Sequence, residues 1–442
     1  MIRLTDLRGL NITPGSVASF VPRVSLGSSD VHEVVEELLH AVRQGGLSAL
    51  VEQAAKFDGV DNLDPRIGSR ELSQAASQLD KTLKAAIQES IRRVRLASED
   101  SLPAGATTQF HTGGSVTMRH VPVERAGVYV PGGKAVYPSS VIMNVVAAQA
   151  AGVKEIVLVS PPQAEHGGRI HPTILATADL LGVSEVFALG GAGAIAALAW
   201  GVPELDLSPV SVITGPGNQY VAAAKRAVRG VVSIDSEAGP SEIAIIADST
   251  AHPEFVAADL VSQAEHDELA SAVLITDSWE LAERVTLSLE RRVAEAENSD
   301  RVQRALEGEQ SALMVCDSLE HSVWLSNAMA PEHLQVMVEE PEKLLPRLTN
   351  AGAIFVGNYT PVSAGDYAAG SNHVLPTHGT AAFSSGLSPM TFLKTQQIVD
   401  YDKEALSHIA THVENFALAE NLPAHAEAIA VRFRSENSGE VG

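Results

Sequence analysis

Short β-branched apolar runs recur between about residues 127 and 356, and Ala-rich stretches with helical spacing separate them. The runs predict strands at 127–130, 155–159, 185–189, 210–214, 232–235, 243–247, 272–276, 312–316 and 353–356. Helices are predicted between them, for example at 139–151, 172–181 and 220–228. This alternation implies parallel sheets covered by helices, and nine strands suit two doubly wound sheets better than one. Residues 31–44, 70–78 and 81–97 carry helical spacing with few strand signals, and 257–269 also reads as a helix. Residues 358–390 are rich in Gly, Ser, Pro, Asn and His without a period and predict a long loop. The tail, 403–434, returns to helical character with a break at Asn421-Leu422-Pro423.

At 442 residues the chain exceeds one ordinary core, so two or more domains are expected. Aromatics make up only 4%, so Ala, Val, Leu and Ile must build the core. The net charge of −23 argues against a nucleic-acid partner. No apolar stretch is long enough for a membrane span and no signal-peptide pattern opens the chain, so a cytoplasmic protein is expected. The single cysteine, Cys316, falls in a predicted buried strand and excludes a disulfide within the chain.

Three glycine-rich turns follow predicted strands. Gly191-Ala192-Gly193-Ala194-Ile195-Ala196 matches the loose dinucleotide pattern, but the acidic residue of the full fingerprint is not at its spacing. Pro131-Gly132-Gly133 and Gly215-Pro216-Gly217-Asn218 occupy equivalent positions. Each alone could be a tight turn; three together at strand ends favour a cofactor crevice.

Other positions carry candidate chemistry. Gln263 and His266, three apart on a predicted helix, share a face and could bridge a metal or form a plain polar pair. Asp366, beside Gly365, reads equally as a positioned carboxylate or an Asx-turn. His425 follows Pro423 at a helix start, where a surface histidine is the commoner outcome. In Pro331-Glu332-His333-Leu334 a carboxylate adjoins an imidazole. If Pro331 opens a helix, its N-terminus would favour the Glu332 anion and a neutral His333, poising both as bases. If a strand starts there, the two side chains point apart.

Taken in order, these words resemble the histidinol dehydrogenase family over nearly the whole chain. They are Gly127-Val128-Tyr129-Val130-Pro131-Gly132-Gly133, Gly215-Pro216-Gly217-Asn218, Ala238-Gly239-Pro240-Ser241-Glu242, Ser262-Gln263-Ala264-Glu265-His266, Pro331-Glu332-His333-Leu334, Gly365-Asp366-Tyr367 through Asn372-His373-Val374-Leu375-Pro376-Thr377, and Glu420-Asn421-Leu422-Pro423-Ala424-His425.

The resemblance implies an α/β subunit with two Rossmann-like domains, one inserted in the other. They would comprise an N-terminal arm (1–28), a zinc and substrate domain (29–128 with 241–386), an NAD domain (129–240) and a helical tail (387–442). It implies a domain-swapped homodimer in which Glu420 and His425 serve the neighbouring active site. One zinc ion per subunit would be held by Gln263, His266, Asp366 and His425. Ser241, His333, His373 and Glu420 would line the same L-histidinol pocket, and Glu332 and His333 would be catalytic. NAD would contact Tyr129 and Asn218. The family usually has Gln where this chain has Gly193, so that residue is expected to lose a cofactor contact. The implied reaction oxidises L-histidinol to L-histidine with two NAD. A relative handling a sulfonate on the same scaffold would instead need basic side chains in the pocket loops; this tail offers Glu420.

Overall fold

The computed structural model describes residues 2–23, 29–132, 136–237 and 239–434. Gly133, Ala238, part of the expected arm and the end of the tail lie outside them. The strands are β1 (Arg3–Asp6), β2 (Arg66–Ile67), β3 (Ala106–Gln109), β4 (Ser115–Pro122), β5 (Arg125–Tyr129), β6 (Glu155–Ser160), β7 (Glu185–Ala188), β8 (Val212–Thr214), β9 (Ser233–Ile234), β10 (Glu242–Ala247), β11 (Ser271–Thr276), β12 (Ala312–Val315), β13 (His333–Met337), β14 (Ala353–Val356) and β15 (Leu393–Asp400).

The chain divides into two compact units. The larger, residues 1–102 with 123–392, holds two six-stranded sheets. One runs β1-β12-β11-β10-β13-β14 and is parallel throughout. The other runs β2-β7-β6-β5-β8-β9, parallel except for β2. This is the α/β architecture expected from the alternation, and all nine predicted strands are present. Their near-continuous apolar character follows from burial on both faces, which helices impose on a parallel sheet.

The segment 29–128, expected beside β10–β14, supplies β2 and the central β5 to the other sheet. Its helices Ser29–Gly45 and Leu47–Phe57 bury Val35, Leu39 and Leu50 in that sheet's core beside Leu198 and Val221. From the expected arm, β1 forms an edge strand beside β12. The smaller unit, residues 103–122 with 393–442, contains the antiparallel sheet β15-β4-β3 and two helices, Lys403–Ala419 and Pro423–Ala430. The break predicted between those helices is present, with Asn421 at φ 58°.

The segment starting at His333 is strand β13, not a helix. Its register between β10 and β14 pairs His333 with Ile243 and Ala353, and two flanking parallel partners override the helical preference of Pro331. The helix carrying Gln263 also differs from expectation. It begins at Pro253 and ends at Ala264, so His266 lies just beyond it, its N–H donating to the Gln263 carbonyl (3.2 Å).

Candidate active site

Two strand edges carry the candidate chemistry. The glycine turns follow the carboxyl ends of β5, β7 and β8, where open α/β sheets bind ligands. Ser241, Glu332 and His333 instead sit at the amino ends of β10 and β13.

Glu332 and His333 are 7% and 4% exposed, although one is charged and the other polar. Such groups persist in a core only with partners. Glu332 Oε2 accepts from Ser241 Oγ (2.5 Å) and from the Glu242 backbone N–H (2.9 Å). Ser241 Oγ accepts in turn from Gln263 Nε2 (2.6 Å). An unbroken line of donors thus runs from Gln263 to Glu332. Because Glu332 precedes its strand, the pair is not splayed: His333 Nδ1 lies 3.5 Å from Glu332 Oε2.

His333 Nδ1 lies closer still, 2.9 Å, to the Glu242 carbonyl oxygen. A carbonyl only accepts, so Nδ1 carries a proton, and in the neutral ring the lone pair is therefore on Nε2. Nε2 is sealed from solvent without a hydrogen-bond partner, and Asp366 Oδ1 is 3.9 Å away. A buried imidazole nitrogen held as an acceptor is the arrangement a general base needs.

His373 is committed differently. Its Nδ1–H donates to the Asp366 carbonyl (3.0 Å), and Ser140 Oγ donates to its Nε2 (3.2 Å). Burial pushes its pKa down, which keeps the ring neutral. Both nitrogens are used, so His373 ties the Asp366 backbone to the helix Pro138–Ala151, which follows β5. Ser140 was not anticipated from the sequence.

Glu242 was also not anticipated as a functional residue. Burial, reinforced by the Glu332 charge, pushes its carboxyl up to about 8. At neutral pH it is protonated. A folded value above the ordinary 4.5 means the native state holds this proton more tightly than the unfolded chain. The stability it contributes is full below 4.5, erodes as pH rises, and is gone above about 8. Glu242→Gln should remove that alkaline loss. Urea midpoints at about pH 5 and about pH 9 check it: they should fall less in the variant than in the parent. An equal fall would place the titration elsewhere.

Of the expected metal ligands, Gln263 is 2% exposed and uses its amide nitrogen on Ser241, leaving the carbonyl oxygen as a ligand atom. His266 is exposed and Asp366 half-buried. Among the described residues no three His, Cys, Asp or Glu side chains converge closely enough to hold a metal. Glu420 and His425 belong to the smaller unit, where both are exposed, Glu420 at the end of the helix Lys403–Ala419 and His425 in the helix Pro423–Ala430.

At the glycine turns, Asn218 caps the helix Gln219–Val228. Its Oδ1 accepts from the N–H groups of Tyr220 (3.0 Å) and Val221 (3.1 Å), leaving its amide nitrogen outward. Tyr129 is 3% exposed and its hydroxyl accepts from the Gly191 N–H (3.3 Å), so it braces one turn against another. Gly193 is buried, and a Cβ there would lie 2.5 Å from Gln53 Oε1. A glutamine from another helix therefore covers the position where the sequence lacks one; Gln53 Nε2 is itself held by the Leu38 carbonyl (3.0 Å).

Cys316 is fully buried beside Ser322 Oγ (3.2 Å), and burial pushes its thiol up. A nucleophilic cysteine needs exposure and a lowered pKa. If the chain carries out the two-step oxidation that the resemblance implies, Cys316→Ala should retain both steps, as read by NADH formation from alcohol and from aldehyde. Selective loss of aldehyde oxidation would contradict this.

Parallel sheets with glycine turns at carboxyl ends, and a buried carboxylate–imidazole pair in the same unit, are the arrangement of an α/β enzyme with a ligand crevice at its strand ends. The sequence profile of histidinol dehydrogenase matches residues 21–433. The chain is 52% identical to the histidinol dehydrogenase of Leifsonia xyli subsp. xyli, over 97% of this chain and 98% of that one. It is 50% identical to that of Thermobifida fusca, over 99% and 98%. The crystal structure of histidinol dehydrogenase from Elizabethkingia anophelis superposes with a TM-score of 0.93 at 34% identity, covering 99% of this chain and all of that one. The chain belongs to the histidinol dehydrogenase family and is an NAD-dependent dehydrogenase of histidine biosynthesis.

Proposed function

We propose that the chain oxidises L-histidinol through histidinal to L-histidine, using one water and two NAD, with Glu332 and His333 as the acid–base pair. The observation that carries this reading is His333 Nε2: a buried acceptor without a partner, facing Asp366, in a ring oriented by the Glu242 carbonyl. Such an atom is costly unless a substrate proton meets it.

In the first step His333 Nε2 takes the alcohol proton as hydride leaves the carbon that bears the hydroxyl. Glu332, held by two donors, then draws a proton from the water that adds to the aldehyde, while His333 returns its proton to the carbonyl oxygen and is free again as a base. In the second oxidation His333 again removes the hydroxyl proton as hydride leaves the hydrate carbon. When bound, NAD would accept each hydride in turn, seated against Asn218 and the turns that Tyr129 braces.

Zinc would be held by Gln263, His266 and Asp366, with His425 of a second chain completing the set; the reading is supported by Gln263, whose amide nitrogen is spent on Ser241 and whose carbonyl oxygen is left to act as a ligand. The metal would act as a template that orients the substrate. Ser241, through its bonds to Gln263 and Glu332, would keep the metal side and the base side of the pocket in register. Glu420 would pair with the substrate ammonium.

The tail is read as the clasp of a domain-swapped homodimer. Its exposed Phe416, Leu418 and Leu422 favour coverage by another surface. The inserted-domain arrangement is part of the same reading, as is a cytoplasmic location. No helix among the described residues is long and apolar enough to cross a membrane. Metal analysis tests the ligand set: the purified enzyme should carry one zinc per chain, and Gln263→Ala or His425→Ala should lose it while the fold is kept. Full zinc content in both variants would overturn the assignment.

A further inference from the structure

The deepest charges in the second sheet serve neither the acid–base pair nor the metal set. Lys225 and Asp235 have side chains 1% and 2% exposed and form an ion pair with each other. They also grip the backbone of one residue on both sides, at the peptide before it and the peptide after it. Lys225 Nζ donates to the Gly215 carbonyl (2.9 Å), and the Gly215 N–H donates to Asp235 Oδ2 (2.7 Å). Asp235 Oδ1 accepts from the Ser236 N–H (2.7 Å), which holds the carboxylate in place.

Gly215 is the first residue of the turn that ends in Asn218. It sits at φ 117°, where a Cβ would lie 1.9 Å from the Tyr129 carbonyl oxygen. Tyr129 in turn holds Gly191 through its hydroxyl. One ion pair therefore anchors a contact chain that runs from the Gly215 turn through Tyr129, at the end of β5, to the Gly191 turn.

Burying two charges is a poor way to gain stability, since apolar replacements of both partners are often neutral or better. Their value here lies in direction. An ammonium and a carboxylate impose opposite hydrogen bonds on the two peptides that flank Gly215, which no apolar pair can do. Each also cancels the other's charge beneath a turn that would meet a pyrophosphate. We propose that Lys225 and Asp235 are positioning residues for the dinucleotide: they orient the two peptides flanking Gly215, and with them Asn218, and Lys225 shields the bound phosphates from the Asp235 carboxylate. This rests on the reading that NAD seats at the Asn218 turn.

The account predicts an asymmetry that a merely structural pair would not show. Lys225→Met leaves a bare carboxylate under the phosphates, whereas Asp235→Asn leaves a cation there. Lys225→Met should raise the KM for NAD by about tenfold or more and Asp235→Asn by distinctly less, with the KM for histidinol unchanged in both. The double variant Lys225→Met/Asp235→Leu guards against loss of the fold. It should recover the melting temperature lost in Lys225→Met yet keep a raised KM for NAD. A double variant with the parental KM for NAD overturns the proposal, as does an equal effect of the two single changes. Asn218→Ala separates the two levels of the argument. If it raises the KM for NAD and the ion-pair variants do not, only the positioning role fails. If it too leaves NAD binding untouched, the cofactor seat itself is wrong.

Discussion

Substituting His333 with alanine should lower kcat for histidinol oxidation by roughly two to four orders of magnitude, with the KM for NAD nearly unchanged. The expectation follows from position. The Glu242 carbonyl leaves His333 one tautomer, and no other described base is oriented by the same partner. Both hydride transfers of the proposed reaction require a proton to leave an oxygen, so both half-reactions should fall together. Glu332→Gln should behave differently. The amide preserves the shape that accepts from Ser241 and Glu242 but cannot take a proton from water. Aldehyde oxidation should then slow by about two orders of magnitude or more and alcohol oxidation by less. Single-turnover NADH formation, started separately from histidinol and from histidinal, distinguishes the two. Equal losses in both halves for Glu332→Gln would remove the water-activating role.

Mixing two inactive variants should restore activity. In the proposed dimer each pocket combines His333 of one subunit with the tail of the other. A His333→Ala chain and a His425→Ala chain, unfolded together and refolded, give mixed dimers in which one pocket carries both lesions and the other carries neither. With random pairing about half the dimers are mixed, so roughly a quarter of parental activity should return. If the tail served its own subunit's pocket, every site in the mixture would keep one lesion and activity would stay at the level of the separate variants. The apolar residues that the tail leaves exposed, Phe416 foremost, make the first outcome the expected one.

The sheet cores were legible because parallel strands buried on both faces read as continuous apolar runs, as in Glu242–Ala247 and Ser271–Thr276. Strands outside those cores were not. Ala106–Gln109 is exposed throughout, so no alternation marks it. His333–Met337 was obscured by Pro331, whose local preference yields to pairing on both sides. At the site, the words containing Ser241, Gln263, Glu332 and His333 stood out, but the bonds joining them span up to 91 residues and come only with the fold. Ser140 meets His373 across 233 residues, and nothing local to either signals the contact. Lys225 and Asp235 show the same limit. Each is an ordinary charge in its own segment, and only folding places both on the backbone of Gly215. Gly193 runs the other way: an apparent fingerprint glycine is buried beneath Gln53.

The central claim is that one pocket carries out both oxidations on a substrate held by zinc. Counting NADH formed per L-histidinol at completion, with zinc present and then after chelation, tests it most directly. The account predicts two NADH per histidinol, lost on removing zinc and regained on its return. One NADH per histidinol, with histidinal accumulating, or two NADH undiminished without the metal, would contradict it.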